Sequence, residues 1–123
     1  MAESGPDPLG RAETPAGAVV PADEGDVTVL RVSGALDLAL APKLQRLVDR
    51  AARSGPRLLV IDLSAVDFLA SAGMAVLVRA HRHAPSAVRV VASGRLTLRP
   101  LEMTRLTDEL AVFPTLAAAL AGR

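Results

Sequence analysis

The stretch DLSAVDFLASAGMAVLVRAHRH, Asp62–His83, changes character in its middle. It opens on the tail of LLVIDL, Leu58–Leu63, a short continuous apolar run. Such runs suit a central strand that is covered on at least one face and flanked by neighbours. From Ser71 to about His83 the pattern is that of an apolar helix, and Pro85 marks its end. A strand that passes through a tight turn into a helix is half of an alternating α/β unit. It leaves Ser71 at the corner.

The flanking sequence extends the alternation. Upstream, Ala16–Pro21 reads as a short edge strand and DEGD, Asp23–Asp26, as a turn. VTVLRVS, Val27–Ser33, is β-branched and partly alternating, a strand that Gly34 is expected to stop. Leu40–Ser54 predicts a helix, with Pro42 in the first turn where its missing N–H costs nothing. Leu40, Leu44, Leu47, Val48 and Ala51 recur at helical spacing along one face of it. Downstream, VRVVA, Val88–Ala92, predicts a strand and Ser93-Gly94 a break. A short helix is expected over Pro100–Leu106, a last strand over Leu110–Phe113 and a closing helix over Pro114–Ala121. The order β-β-α-β-α-β-α-β-α predicts an α/β fold. Its sheet is mixed and mostly parallel, of four to five strands, with about four helices packed on it. Residues 1–15 are rich in Pro, Gly and acids, without periodicity, and are expected to be a disordered acidic tail ahead of one domain over 16–123.

Composition narrows the chemistry. The 123 residues suit one domain with one core. There is no cysteine, which removes thiol catalysis, disulfides and thiolate metal sites. Phe68 and Phe113 are the only aromatic residues and both are expected in the core, leaving none for stacking on bases. The small net charge of +1 hides an asymmetry: residues 1–26 carry −5 and residues 27–123 carry +6. A basic body of this kind suits a solvated surface, an acidic partner or nucleic acid. No stretch approaches the roughly 20 apolar residues of a membrane span. The start lacks the basic and apolar regions of a signal peptide, so a cytoplasmic location is expected, with no membrane and no direct nucleic-acid partner.

Ser71 has three readings. Serine is a favoured helix N-cap, because its side-chain oxygen accepts from an amide of the first turn. LASAG also resembles the G-x-S-x-G elbow of serine hydrolases, with Leu69 in place of the first glycine. A nucleophile needs a base within hydrogen-bond reach. The only histidines, His81 and His83, lie on the same predicted helix, His81 roughly 15 Å along its axis. The third reading is modification by another enzyme. The neighbours Ala72, Gly73, Met74 and Ala75 are small or flexible and leave the corner open to approach. Gly73 suits access or packing, and Met74 suits core or an adaptable interface.

Taken in order, GALD (Gly34–Asp37), DLS (Asp62–Ser64), FLASAGM (Phe68–Met74) and the C-terminal FPTLAAAL (Phe113–Leu120) resemble the STAS domain family. More narrowly, they resemble its bacterial anti-sigma factor antagonists. That family carries G-x-L-D after an early strand, D-L-S after an apolar strand, and a motif close to F-[LMI]-D-S-[ST]-G-L. The resemblance covers roughly residues 17–121. It implies a STAS fold and a binding protein, without cofactor or metal, rather than an enzyme. It implies an anti-sigma factor partner that is itself a serine kinase, phosphorylation at Ser71 that ends binding, and a serine phosphatase that restores it. Asp37, Ala70, Ala72, Gly73 and Met74 are then the expected partner-contacting positions. The chain departs from the motif at three of them: Ala70 replaces the acid before the serine, Ala72 the second hydroxyl residue and Met74 the leucine. Ser71 is thus the one hydroxyl residue left in that motif. Two alternatives stand beside this reading, a STAS scaffold that is never phosphorylated and a small serine hydrolase.

Overall fold

The computed structural model describes residues 10–121. Strands β1 (Ala12–Glu13), β2 (Gly17–Glu24) and β3 (Val27–Leu36) form an antiparallel meander. There follow α1 (Ala41–Ser54), β4 (Leu58–Leu69), α2 (Ser71–His83), β5 (Val88–Val91), α3 (Leu98–Met103), a 3₁₀ turn (Leu106–Asp108), β6 (Val112–Phe113) and α4 (Leu116–Leu120). The six strands lie in the sheet in chain order, and β3, β4, β5 and β6 pair in parallel. The sheet is thus mixed and mostly parallel, with more strands than the four to five expected.

Successive right-handed crossovers in one direction place α1, α2 and α3 on the same side of the sheet. Strand periodicity sends alternate side chains to the two layers. Leu59, Ile61 and Leu63 of β4 join Leu44 and Leu47 of α1 and Leu77 of α2 in the larger core. Leu58 and Val60 face the other way, with Val27, Val29, Val91 and Ala119 of α4. Burying each such Leu or Val contributes about 1.5–3 kcal/mol. Arg89 ties α4 down: its guanidinium donates to the Ala119 carbonyl at 2.6 Å and lies 5.3 Å from the Phe113 ring centre. Among the described residues no helix is long and apolar enough to cross a membrane.

Several expectations are corrected. Gly34 does not stop β3. It sits inside the strand at φ +73°, at a shift in the β3–β4 register, and the strand runs on to Leu36. β4 likewise runs past Leu63 to Leu69, because β3 continues alongside it. Beyond Asp62 it has no β5 partner, so Ser64, Ala65, Asp67 and Phe68 are exposed and their polarity reads as loop. Phe68 is 55% exposed rather than a core residue, while Phe113 packs against the smaller core. Ala12–Glu13 pair with β2, so ordered structure begins before residue 15; the disorder expected over residues 1–9 falls outside the described residues. The helix expected over Pro100–Leu106 begins earlier and breaks at Arg105, whose φ is +63°, into α3 and the 3₁₀ turn.

Candidate functional site

Parallel strands all end on one side of the sheet, and the site lies past the carboxyl ends of β3 and β4. The two ends are joined directly: the Ala70 amide donates to the Leu36 carbonyl at 3.0 Å. Gly73, in the first turn of α2, is buried against the same Leu36. A Cβ built there would lie 2.5 Å from Leu36 Cγ and 3.0 Å from the Leu36 carbonyl oxygen. Of the two roles expected for Gly73, close packing is the one the geometry requires. It seats the start of α2 on the end of β3 and so fixes the height of Ser71.

Ser71 is exposed and is the first residue of α2. It is not the N-cap. Ala70 holds that position, extended at φ −85° and ψ 163°, and no side chain caps the helix. The Ala70 carbonyl accepts from the Gly73 and Met74 amides at 3.0 and 3.1 Å. The Ser71 hydroxyl makes no hydrogen bond to a protein group among the described residues, so no general base stands beside it. The first turn of α2 holds no acid, which leaves the positive end of the helix dipole uncompensated next to Ser71.

Asp37 is part-buried and structural in its visible contacts. Its Oδ1 accepts from the Ala39 and Leu40 amides at 3.1 and 3.0 Å, and its carbonyl accepts from Ala41 at 2.9 Å. This turn feeds α1, whose own cap position, Leu40, offers no side-chain bond. Replacing Asp37 by alanine removes both side-chain bonds, and by analogy with a lost N-cap costs about 1 kcal/mol. A thermal melt of Asp37→Ala is expected to fall by about 4 °C. Asp62, buried in β4, accepts from the Ser64 amide at 2.9 Å and likewise shapes the backbone. Ala70, Ala72 and Met74 are half-buried around Ser71. Met74 packs partly on the larger core, and the Thr104 hydroxyl, which donates to the Pro100 carbonyl at 2.8 Å, lies 3.8 Å from its sulfur.

Four residues that the sequence reading did not select complete the face. Leu38 (78% exposed), Phe68 (55%), Leu96 (57%) and Met103 (70%) are large apolar side chains left in water. Leu38 follows β3, Phe68 ends β4 and Leu96 follows β5, so all three sit at the carboxyl edge. Met103 ends α3, beside the Thr104 that approaches Met74. The Leu96 loop is held from within: Thr97 Oγ1, nearly fully buried, donates to the Ser93 carbonyl at 3.0 Å and accepts from the Ser93 amide at 3.1 Å. Exposed apolar side chains gathered at one edge mark interaction surfaces, and three of these four follow or end neighbouring parallel strands on the same edge. Regular alternation would have put Phe68 on the buried face of Val66; the register shift between Gly34 and Ala35 breaks that alternation, and Phe68 is left exposed. Leu38, Leu96 and Met103 lie in turns or at a helix end, where no period applies.

Among the described residues no three His, Asp or Glu side chains gather as a metal site would need. The arrangement offers an unengaged hydroxyl, a positive helix end and an apolar rim.

Known proteins share this fold. The STAS domain family model matches residues 19–119. The anti-sigma-F factor antagonist RsfB of Mycobacterium tuberculosis is 38% identical over 106 residues, covering 85% of this chain and 87% of that protein. The crystal structure of an anti-sigma factor antagonist from Mycobacterium paratuberculosis superposes with a TM-score of 0.79 at 33% identity, covering 94% and 95% of the two chains. The anti-sigma factor antagonist SpoIIAA in its unphosphorylated form shares the fold, with a TM-score of 0.67 at 13% identity over 83% and 92%. With a family match across most of the sheet and its helices, and a relative this similar along most of its length, the chain belongs to the STAS domain family.

Proposed function

We propose that this chain is an anti-sigma factor antagonist of the cytoplasm. It binds an anti-sigma factor through the face around Ser71, and that partner, acting as a serine kinase, switches the binding off by phosphorylating Ser71. A serine phosphatase completes the cycle. The name of the mycobacterial relative supports the partner class. The observation that carries the reading is the exposed Ser71 hydroxyl at the start of α2, free of any protein hydrogen bond, at the carboxyl edge of the sheet that also carries the exposed Leu38, Phe68 and Leu96. The protein acts by binding; the Ser71 hydroxyl is substrate rather than catalyst.

Incubation with the anti-sigma factor of the same organism and ATP is expected to add the mass of one phosphate, mapped to Ser71 by peptide sequencing. Absence of the gain, or a gain that persists in Ser71→Ala, rejects the switch. One observation favours a second reading, a scaffold that binds without being phosphorylated: Ala70 and Ala72 replace the acid and the second hydroxyl residue expected beside the serine. Under that reading the partner still binds and no phosphate is transferred.

A further inference from the structure

Helix α2 is apolar on two sides. Its inward residues Gly73, Val76, Leu77 and Ala80 are buried in the core. A second stripe faces outward at the same helical spacing, with Met74, Ala75 and Val78 below Ser71, then Arg79, Arg82 and His83. This stripe forms one bank of an open groove of about 730 Å³, and Thr104 and Leu106 form the other. A surface helix keeps polar residues on its outer face unless something covers it. From Ser71 to His83 the stripe is about 18 Å long, which matches roughly three turns of a second helix.

At the lower end, one of the two arginines of the stripe is left without an ion pair among the described residues. Arg82 is engaged: its Nε lies 2.8 Å and its Nη2 3.3 Å from the Glu109 carboxylate oxygens. That hydrogen bond, with the attraction of the opposite charges, holds the Glu109 carboxyl below its usual range and raises Arg82. Arg79 and His83 are exposed and have no ion pair or side-chain hydrogen bond to a described residue. Nor does Arg79 serve a phosphate on Ser71. Eight residues separate them, about 12 Å along the axis, beyond the reach of one side chain. The groove also lacks a free strand edge, so an extended peptide has no backbone to pair with.

Resting on the proposal that this face binds the anti-sigma factor, we propose that the groove seats an amphipathic helical segment of that partner. The segment's apolar stripe lies on Met74, Val78 and Leu106, and a carboxylate at one end meets Arg79 and His83. Docking then has two poles, one at Ser71 that phosphate opposes and one at the foot of α2 that supplies charge complementarity.

The test uses the full chain and two ligands. The first is the anti-sigma factor, with affinity measured by calorimetry. Arg79→Glu combined with His83→Glu is expected to weaken binding at least tenfold and to flatten its salt dependence, with the melting temperature lowered by only a few degrees, since both residues are exposed and the sole cost is two acids near the helix C-terminus. The second is a synthetic helical peptide of about three turns, with a leucine stripe and glutamates at one end, titrated into ¹⁵N-labelled protein. Saturable shifts are expected at Met74, Val78, Arg79, His83 and Leu106, lost when the glutamates are changed to lysine. Wild-type affinity in the double variant, or shifts that ignore the charge of the peptide, overturns the groove proposal even if phosphorylation still blocks the partner. If the anti-sigma factor fails to bind wild-type protein, the partner reading itself fails, and the peptide alone then decides whether the groove accepts an acidic helix.

Discussion

Ser71→Asp is expected to weaken binding of the anti-sigma factor by at least about thirtyfold, while Ser71→Ala binds like wild type. The asymmetry follows from where the residue sits. Alanine removes a hydroxyl that has no protein hydrogen bond to lose. A carboxylate places a full charge at the sheet edge that carries the exposed Leu38, Phe68 and Leu96, and docking there must strip water from it. Thirtyfold corresponds to about 2 kcal/mol, well within the cost of burying an unpaired charge. Phosphate, with a charge of about −1.5 to −2 and a larger shell of bound water, is expected to weaken binding further.

The scaffold itself should accept the same charge. The added group stands at the N-terminus of α2, where no acid competes and the helix dipole favours an anion by about 0.3–1 kcal/mol. The melting temperature of Ser71→Asp is therefore expected to stay level or rise slightly as binding falls. Calorimetric titration and a thermal melt on the same samples check both halves. Full affinity in the aspartate variant, or a collapse of its melting temperature, contradicts a switch that works at the interface alone.

Much of the architecture was legible because it rests on period. The apolar run Leu58–Leu63, the helical spacing of Leu44, Leu47, Val48 and Ala51, and the punctuation by Pro85 and Ser93-Gly94 each report a local preference that the packing reinforces. The corner itself was legible too, since a strand that turns into a helix at Ser71 admits few arrangements. What stayed hidden depends on contacts between distant segments. That β4 runs to Leu69 is decided by β3 lying beside it, not by its own half-polar sequence. That Ser71 is first in the helix rather than its cap depends on the Ala70 amide reaching Leu36. The apolar rim is contributed by four separate segments, and only the parallel sheet brings their ends to one edge.

Gly34 shows the same limit most sharply, and its replacement by alanine is expected to be the most damaging single change to stability proposed for this chain. Glycine in a strand-like run reads as a stop. Here it lies within β3 opposite Gly17 of β2, two positions without side chains where the strands approach closely. Its φ of +73° suits glycine, and a left-handed conformation costs other residues roughly 1–2 kcal/mol. A Cβ would also strike the Ala16 carbonyl oxygen and lie 2.9 Å from Gly17 Cα. These are backbone atoms, and no rotamer change clears them. The Ala16 carbonyl accepts from the Ala35 amide at 3.0 Å, so moving it loosens the β2–β3 pairing just before the segment that carries Asp37. Overpacking of this kind adds about 1–3 kcal/mol, giving a total of about 2–5 kcal/mol. Gly25 supplies the control. Its φ is +67° and no atom lies within 4 Å of a Cβ built there, so Gly25→Ala bears the conformational term alone. Denaturant unfolding of the two variants separates the contributions. Gly34→Ala should lose at least about 1 kcal/mol more than Gly25→Ala. Equal losses would mean that β2 and β3 do not approach as closely as this geometry requires, and that the strand carrying Asp37 toward Ser71 is held some other way.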